Sequence, residues 1–438
     1  MAQPKIDVDQ NRRIERLEKH LLNDKENSDL IMLKKEVELI KKSSLSKQGV
    51  DESSSKEIQS IDEKIEKSYQ QIQSLNKAIK GGVEASLLTG RIKEIENSIE
   101  ELKSKKIALL KHSSESLFSF EGLLEIDAIQ TKSFDKSITS NMDISTLELG
   151  VEANLHSNLK ANILIEKQSN PANLLEITEA FATYSDTNQH LFHLKAGKMI
   201  LPFGKLETNL FSDSLGKSLA ESHKDALLLG LNWEGFSSSA YLFQSKTKKE
   251  KKDDRLRSLG FDLSYELSKE NWSFQTSFNY LANYAETDGI SSLATLTTPT
   301  NILSKEIPGY AFNTHLTYER FSFIFEHITS SKKFLESEIS WNNTGAKPSS
   351  TQFEFSYTHP FKYQTIFTLG YQATKESLSL ALPKNRVLFG FQTSLSERIS
   401  FGIEHFSDKD YARTDCSAGT CGTDEKAYTT TARLSLTL

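Results

Sequence analysis

The sequence predicts an all-β transmembrane barrel of about sixteen antiparallel strands, preceded by an N-terminal α-helical coiled-coil region. Three observations carry this. The first is strict alternation over long runs. Leu259, Phe261, Leu263, Tyr265 and Leu267 alternate with Gly260, Asp262, Ser264 and Glu266, and Trp272, Phe274, Thr276, Phe278 and Tyr280 alternate with Ser273, Gln275, Ser277 and Asn279. A period of two puts each set on one face of a sheet. The second is length. These runs reach nine residues or more, whereas strands of soluble sheets average about 5–6 residues and a strand tilted by about 45° needs about 9–11 to span a bilayer. The third is the placement of aromatic residues near strand ends, as in outer-membrane barrels.

Composition agrees with this class. The chain has 438 residues, of which 26% are charged and 37% hydrophobic, and no run of 18 apolar residues that could form a membrane-spanning helix. The mean hydropathy of −0.46 is polar, but a barrel strand shows only alternate residues to lipid. A formal charge of −6 argues against nucleic acid as a partner. No apolar stretch follows Met1-Ala2-Gln3-Pro4-Lys5, so the sequence reads as a mature or recombinant chain without its export signal. Cys416 and Cys421 have four residues between them, none of them His. Two thiolates alone do not complete a zinc shell, so a disulfide in a surface loop is favoured, and no metal or other cofactor is expected.

Residues 1–11 are polar and read as disordered. Residues 12–115 read as a periplasmic helical, coiled-coil region. Its first seam runs through Ile14, Leu17, Leu21, Leu30, Leu33, Val37 and Ile40, and a flexible linker follows at 43–55. Two further heptad runs, Ile58-Ile61-Ile65-Ser68-Ile72-Leu75-Ile79 and Ile92-Ile95-Ile99-Leu102-Lys106-Leu109, are joined through Gly81, Gly82 and Gly90. Neither stripe can be buried by its own helix. An antiparallel hairpin and a self-associating coil both remain open, as does docking of a periplasmic partner.

Residues 116–438 are the expected barrel. Candidate strands are 117–129, 146–156, 159–166, 175–184, 190–199, 225–233, 236–245, 257–268, 271–284, 309–319, 321–329, 351–359, 363–373, 385–396, 398–407 and 427–438. A further run at 334–342 is rejected, because short and long connections alternate only if 330–350 is one outer loop. The basic run 246–257 and the Ser/Thr-rich stretch 285–308 suit outer loops. Alternation continues to Leu438, although an aromatic residue is the usual final one.

With the large apolar residues facing lipid, the other face carries Glu121, Glu125, Asp127, Glu148, Glu152, Glu166, Asp262, Glu266, Glu319, Glu326, Glu354 and Glu404 against Lys160, Arg386 and Arg433. Such a lining would concentrate cations in a water-filled lumen. It is equally explained by lipid excluding charge from the outer face. His190, His193, His223, His315, His327 and His405 are each a candidate base, but spacing pairs none of them with a serine, so no enzyme is expected.

One connection differs from the rest. The long third loop, 200–224, holds Leu206, Leu210, Phe211, Leu215 and Leu219 among mixed charges. That apolar content predicts packing inside the barrel, with Lys198, Pro202, Phe203, Gly204, Lys205, Glu207, Asn209, Asp213, Lys217, Glu221 and Lys224 as candidates for a constriction. Gly197-Lys198, Leu201-Pro202-Phe203-Gly204, Glu207-Thr208-Asn209 and Ser212-Asp213, with the preceding helical region, resemble the siderophore-porin family known as LbtU. The resemblance implies an outer-membrane channel that passes a ferric siderophore; the strand number and the helical reading of residues 1–115 argue against an energised receptor with a plug domain. A general diffusion porin or a ferrous-iron channel is the alternative. The partners expected are therefore that siderophore or another small solute, and outer-membrane lipid.

Overall fold

The computed structural model describes residues 60–72, 74, 93–103, 117–167, 175–186, 191–245, 256–293, 296, 303–361 and 363–438. The chain divides into two units, Met1–Leu117 and Phe118–Leu438. In the first, 60–72 and 93–103 are helical. On 60–72 the positions turned from solvent are Ile61, Ile65, Ser68 and Ile72, and on 93–103 they include Ile95, Ile99 and Leu102. This is heptad spacing, so each helix has one apolar seam. The helix expected before residue 43, the linker 43–55, the joint at Gly81, Gly82 and Gly90, and the basic run at 246–255 lie outside the described residues.

The second unit is a closed antiparallel barrel of sixteen strands. They are β1 Phe118–Lys132, β2 Ile138–His156, β3 Leu159–Lys167, β4 Leu175–Ser185, β5 Phe192–Ile200, β6 His223–Trp233, β7 Phe236–Gln244 and β8 Leu256–Ser268. The second half comprises β9 Trp272–Leu281, β10 Gly309–Tyr318, β11 Phe321–Ser330, β12 Ser349–His359, β13 Thr365–Lys375, β14 Asn385–Ser396, β15 Ile399–Lys409 and β16 Lys426–Thr437. Each strand pairs with its neighbours in sequence. β1 closes the ring on β16, from Leu123 opposite Thr437 to Lys132 opposite Tyr428, and the Leu438 N–H extends this ladder to the Gly122 carbonyl at 2.9 Å. Closure leaves no strand edge unpaired.

The largest departure from expectation is β2, which starts at Ile138 and not at 146. A bulge between Glu125 and Ile126 shifts its register against β1 there, and this interrupts the alternation that marks a strand in sequence. The rejected run at 334–342 contributes only a two-residue ribbon, Ser340–Trp341 against Thr344–Gly345. Glu319, expected on the inner wall, is instead in the turn between β10 and β11. There its φ is 50° and its N–H meets the Asn271 carbonyl at 2.7 Å. A two-residue hairpin turn needs such a conformation, so the strand stops at Tyr318.

The outer face presents Leu227, Leu229, Leu231, Leu259, Phe261, Phe353, Phe355, Leu369 and Phe389 exposed, a surface suited to hydrocarbon. At the end with short turns, exposed aromatics flank the chain reversals: Tyr184 with Phe192 (centroids 6.2 Å apart), Trp233 with Phe236 (6.5 Å), and Tyr318 opposite Phe321. Such a girdle marks a bilayer interface. At the other end the loops pack on one another. The Trp341 and Tyr411 rings meet edge to face at 5.1 Å, and a disulfide joins Cys416 to Cys421 across a small ribbon. No helix among the described residues is long and apolar enough to cross a membrane.

Candidate functional site

The loop between β5 and β6 turns into the barrel, and the local sequence explains how. Gly197 with φ 134° and Gly204 with φ 80° take backbone shapes that other residues resist. Between them Pro202 sits in a tight turn, where the Phe203 N–H reaches the Leu201 carbonyl at 2.8 Å. The Leu201 N–H bonds the Ser222 carbonyl at 2.9 Å and closes the neck of the loop. The Gly204 N–H then meets Asn279 Oδ1 at 3.1 Å. Asn279 in turn donates from Nδ2 to Asp262.

Beyond this point the loop hangs on three wall carboxylates. Glu326 on β11 accepts the Lys205 and Leu206 N–H groups at 2.7 and 3.2 Å. Glu354 on β12 accepts the Asn209 N–H at 2.7 Å, Asn209 Nδ2 at 2.9 Å and the Thr208 hydroxyl at 2.7 Å. Glu404 on β15 accepts the Phe211 N–H at 2.6 Å and the Ser212 N–H at 3.3 Å. Charged acceptors on neutral N–H groups make strong bonds, and each also satisfies backbone that would otherwise lie buried and unpaired. Apolar side chains fill the intervals. Leu210 lies on Gly370 and Gly390, and Phe211 on Gly402. A Cβ at Gly390 would come within 2.6 Å of Leu210 Cδ2, and one at Gly402 within 2.2 Å of Phe211 Cζ. These glycines leave hollows in the wall where the loop side chains sit. Arg433 stacks 5.2 Å from the Phe211 ring while bonding Asp127 at 2.7 Å and Glu125 at 2.8 Å across the β1–β16 closure.

The far end of the loop is a helical turn, Lys217–Ala220. It packs on another at Asp288–Ser291, so closely that a Cβ at Gly289 would stand 2.0 Å from the Ser218 carbonyl oxygen. Leu219, Ala220, Tyr284 and Ile290 are fully buried there with Phe203, each large apolar group contributing about 1.5–3 kcal/mol. Lys224, itself buried, pairs with buried Glu286 at 3.4 Å. The Asp288 carboxylate accepts the His223 N–H at 2.8 Å.

The predicted loop residues therefore separate into groups. Phe203 and Lys224 are buried and cannot line an aqueous path. Lys198 stays on β5, bonding the Ile177 carbonyl at 2.6 Å and Glu176 at 3.3 Å. Asn209 faces the wall. Asp213, Lys217 and Glu221 form an ion triplet exposed at Asp213 and half-buried at Glu221, with Lys217 3.1 Å from Asp213 and 3.6 Å from Glu221. Burial raises the Glu221 carboxyl above its ordinary value, against the pull of Lys217. The inner-face acids separate as well. Asp262, Glu326, Glu354 and Glu404 are buried under the loop, whereas Glu266 is exposed near the short-turn end.

The opposite wall, β1–β4, has no such cover. Glu148 stands directly opposite Glu166, and Glu166 directly opposite Glu176. Glu152 is offset by Lys160 at 3.0 Å. A recess of about 280 Å³ opens nearby, with Glu121, Glu152, Asn162, Glu179 and Phe181 among its lining. Among the described residues no group of three or more His, Cys, Asp or Glu side chains is arranged to hold a metal ion.

The fold also assembles a cluster that spacing did not reveal. His315 on β10 has Nδ1 3.0 Å from Glu207 Oε2 and Nε2 2.9 Å from the Ser322 hydroxyl on β11. The signal lay in the hairpin. With a turn at 319–320, Thr317 falls opposite Ser322 and His315 opposite Ile324, so His315 and Ser322 are diagonal neighbours on one face.

No protein-family model matches the chain. It is 23% identical over 255 residues to a UPF0422 protein of Coxiella burnetii, covering 57% of this chain and 54% of that protein. It is 22% identical over 351 residues to a UPF0422 protein of Legionella pneumophila, covering 73% and 66%. The chain thus spans between about half and two thirds of the length of the curated relatives it matches. Among solved structures it is similar to an anion-selective porin from Comamonas acidovorans, with TM-score 0.50 and 12% identity over 73% of this chain and 99% of that one. It is also similar to the outer membrane channel DcaP of Acinetobacter baumannii, with TM-score 0.50 and 11% identity over 73% and 97%. At these identities the likeness is one of fold, and the fold is a porin-type barrel.

Proposed function

We propose that the protein is an outer-membrane diffusion channel that prefers cations, its solute path running between the third loop and the β1–β4 wall. The carrying observation is the pair Glu148 and Glu166, two carboxylates directly opposite one another, with Glu176 next in the row and partly offset by Lys198 at 3.3 Å. Like charges opposite one another on a sheet are unfavourable, and mobile cations in a lumen relieve them. The Comamonas neighbour is anion-selective; the fold is common to both, while the charge of this wall argues for the opposite preference. The N-terminal unit belongs on the periplasmic side in this reading, because β1 begins at the short-turn end. Within it, a ferric siderophore is the solute favoured by the third-loop resemblance, with ferrous iron or unselected small solutes as alternatives.

Reversal potentials in a salt gradient across planar bilayers test the selectivity. The parent channel should favour cations, and Glu148→Gln with Glu166→Gln should move the reversal potential toward the anion limit. An anion-selective parent, or an unmoved potential in the double variant, rejects this path. Liposome swelling with ferric siderophores and with sugars of similar size then separates the solute readings.

A further inference from the structure

We propose that Ser322, His315 and Glu207 form a nucleophilic relay that lets the lumen hydrolyse small carboxylic esters. The contact with Glu207 selects the tautomer of the neutral ring. A carboxylate only accepts, so the 3.0 Å bond to Glu207 requires the hydrogen on His315 Nδ1. In the neutral ring Nε2 then carries the lone pair, and the Ser322 hydroxyl 2.9 Å away can donate to it. This is the tautomer and order of a general base acting on a serine, with a carboxylate orienting the base.

The surroundings favour the same assignment. Among the described residues His315 is the one hydrogen-bond partner of the Ser322 side chain. The hydroxyls beside it are otherwise engaged: Thr317 with Ser273 at 2.7 Å and Ser356 with Thr368 at 3.0 Å. Glu207 is held from behind, its carbonyl accepting Gln352 Nε2 at 3.1 Å. The His315 and Glu207 side chains are 28% and 33% exposed, so a solute in the lumen can reach the relay. Gln275, opposite His315 in the β9–β10 register, brings an amide donor to the same patch of wall for an oxyanion.

The reaction needs only the ester and water. Ser322 Oγ bonds to the carbonyl carbon as its proton passes to Nε2, and the carbonyl electron pair moves to oxygen. Collapse expels the alkoxide, which takes the proton from Nε2 and leaves an acyl-serine. Water then adds with Nε2 as base, and the second collapse releases the carboxylic acid and restores the serine. Glu207 takes up no proton in these steps and serves to orient the ring.

This inference rests on the lumen admitting small solutes, part of the channel reading, so both are measured on one preparation of the full chain. A fluorophosphonate probe should label the folded protein at Ser322, located by peptide mass, and p-nitrophenyl acetate should be turned over. Ser322→Ala should abolish both. His315→Gln should slow labelling by about 10²–10⁴-fold, the usual share of a general base. Glu207→Gln, which tolerates either tautomer, should slow it less and should alter its pH profile. A barrel that conducts ions but leaves Ser322 unlabelled overturns the relay, as does labelling that His315→Gln does not slow; the contacts are then a tie for the loop. Labelling of a barrel that does not conduct supports the relay and counts against the channel.

Discussion

Glu354→Ala removes one attachment of the third loop and leaves its donors in place. Three bonds to the loop are lost, from the Asn209 N–H, Asn209 Nδ2 and the Thr208 hydroxyl, at 2.7, 2.9 and 2.7 Å. At about 1.5–3 kcal/mol for each bond to a charged group the upper limit is about 5–9 kcal/mol. Water entering the gap recovers part of it, leaving a loss on the order of 3 kcal/mol, or about two orders of magnitude in the docking equilibrium of this stretch. Glu354→Gln should be much milder. Its amide oxygen can replace Oε1 as acceptor for Asn209, and its amide nitrogen can donate to a rotated Thr208 hydroxyl. Two assays read the difference. Single-channel records should show greater current noise and higher conductance for the alanine variant than for the glutamine variant. Trypsin should cut after Lys205 or Lys217 sooner in the alanine variant than in the parent. If the alanine variant matches the parent in noise, conductance and protease resistance, the carboxylate does not hold the loop.

Two further perturbations follow from the same geometry. Gly390→Leu fills the hollow under Leu210, where even a Cβ would stand 2.6 Å from Cδ2, so it should displace the loop and change conductance while the barrel still forms; a parent-like conductance would count against the seat. Arg433→Ala leaves Glu125 and Asp127 without the cation that bonds both, a loss of about 3–5 kcal/mol at the closing seam. It should lower the temperature at which the folded barrel loses its compact gel mobility, with Arg433→Lys restoring only part because it lacks the planar fork.

The sixteen strands were legible because a lipid-facing wall forces a period of two, and that period is visible residue by residue. It failed where a bulge breaks it, within β2 opposite Glu125 and Ile126, so that the part of the strand before residue 146 was missed. The third loop was legible by its apolar content, since Leu210 and Phe211 do not suit water. What could not be read was the fate of each inner-face charge. Glu148 and Glu354 look alike in sequence, both alternating with apolar residues, yet one faces an open wall and the other accepts three hydrogen bonds from the loop. Periodicity assigns a face but carries no record of what is packed on it. The Ser322–His315 neighbourhood follows from the hairpin register once the turn is placed, whereas Glu207 reaches it from a loop 108 residues away in sequence.

The attachments of the third loop also impose an order on assembly. The loop follows β5, but Glu326, Glu354 and Glu404 come from strands 121, 145 and 193 residues further along the chain. Until those strands have paired, there is no surface on which the loop can dock, and contacts between such distant segments form slowly. Docking is therefore a late event, and the carboxylates remain hydrated until it happens. The Phe211 ring meets Arg433 on β16, the strand that closes the ring, so the last contact of the loop can form only in a completed barrel. The loop thereby reports closure as well as occupying the lumen: a barrel stalled before β16 joins β1 would leave this end of the loop open to proteolysis.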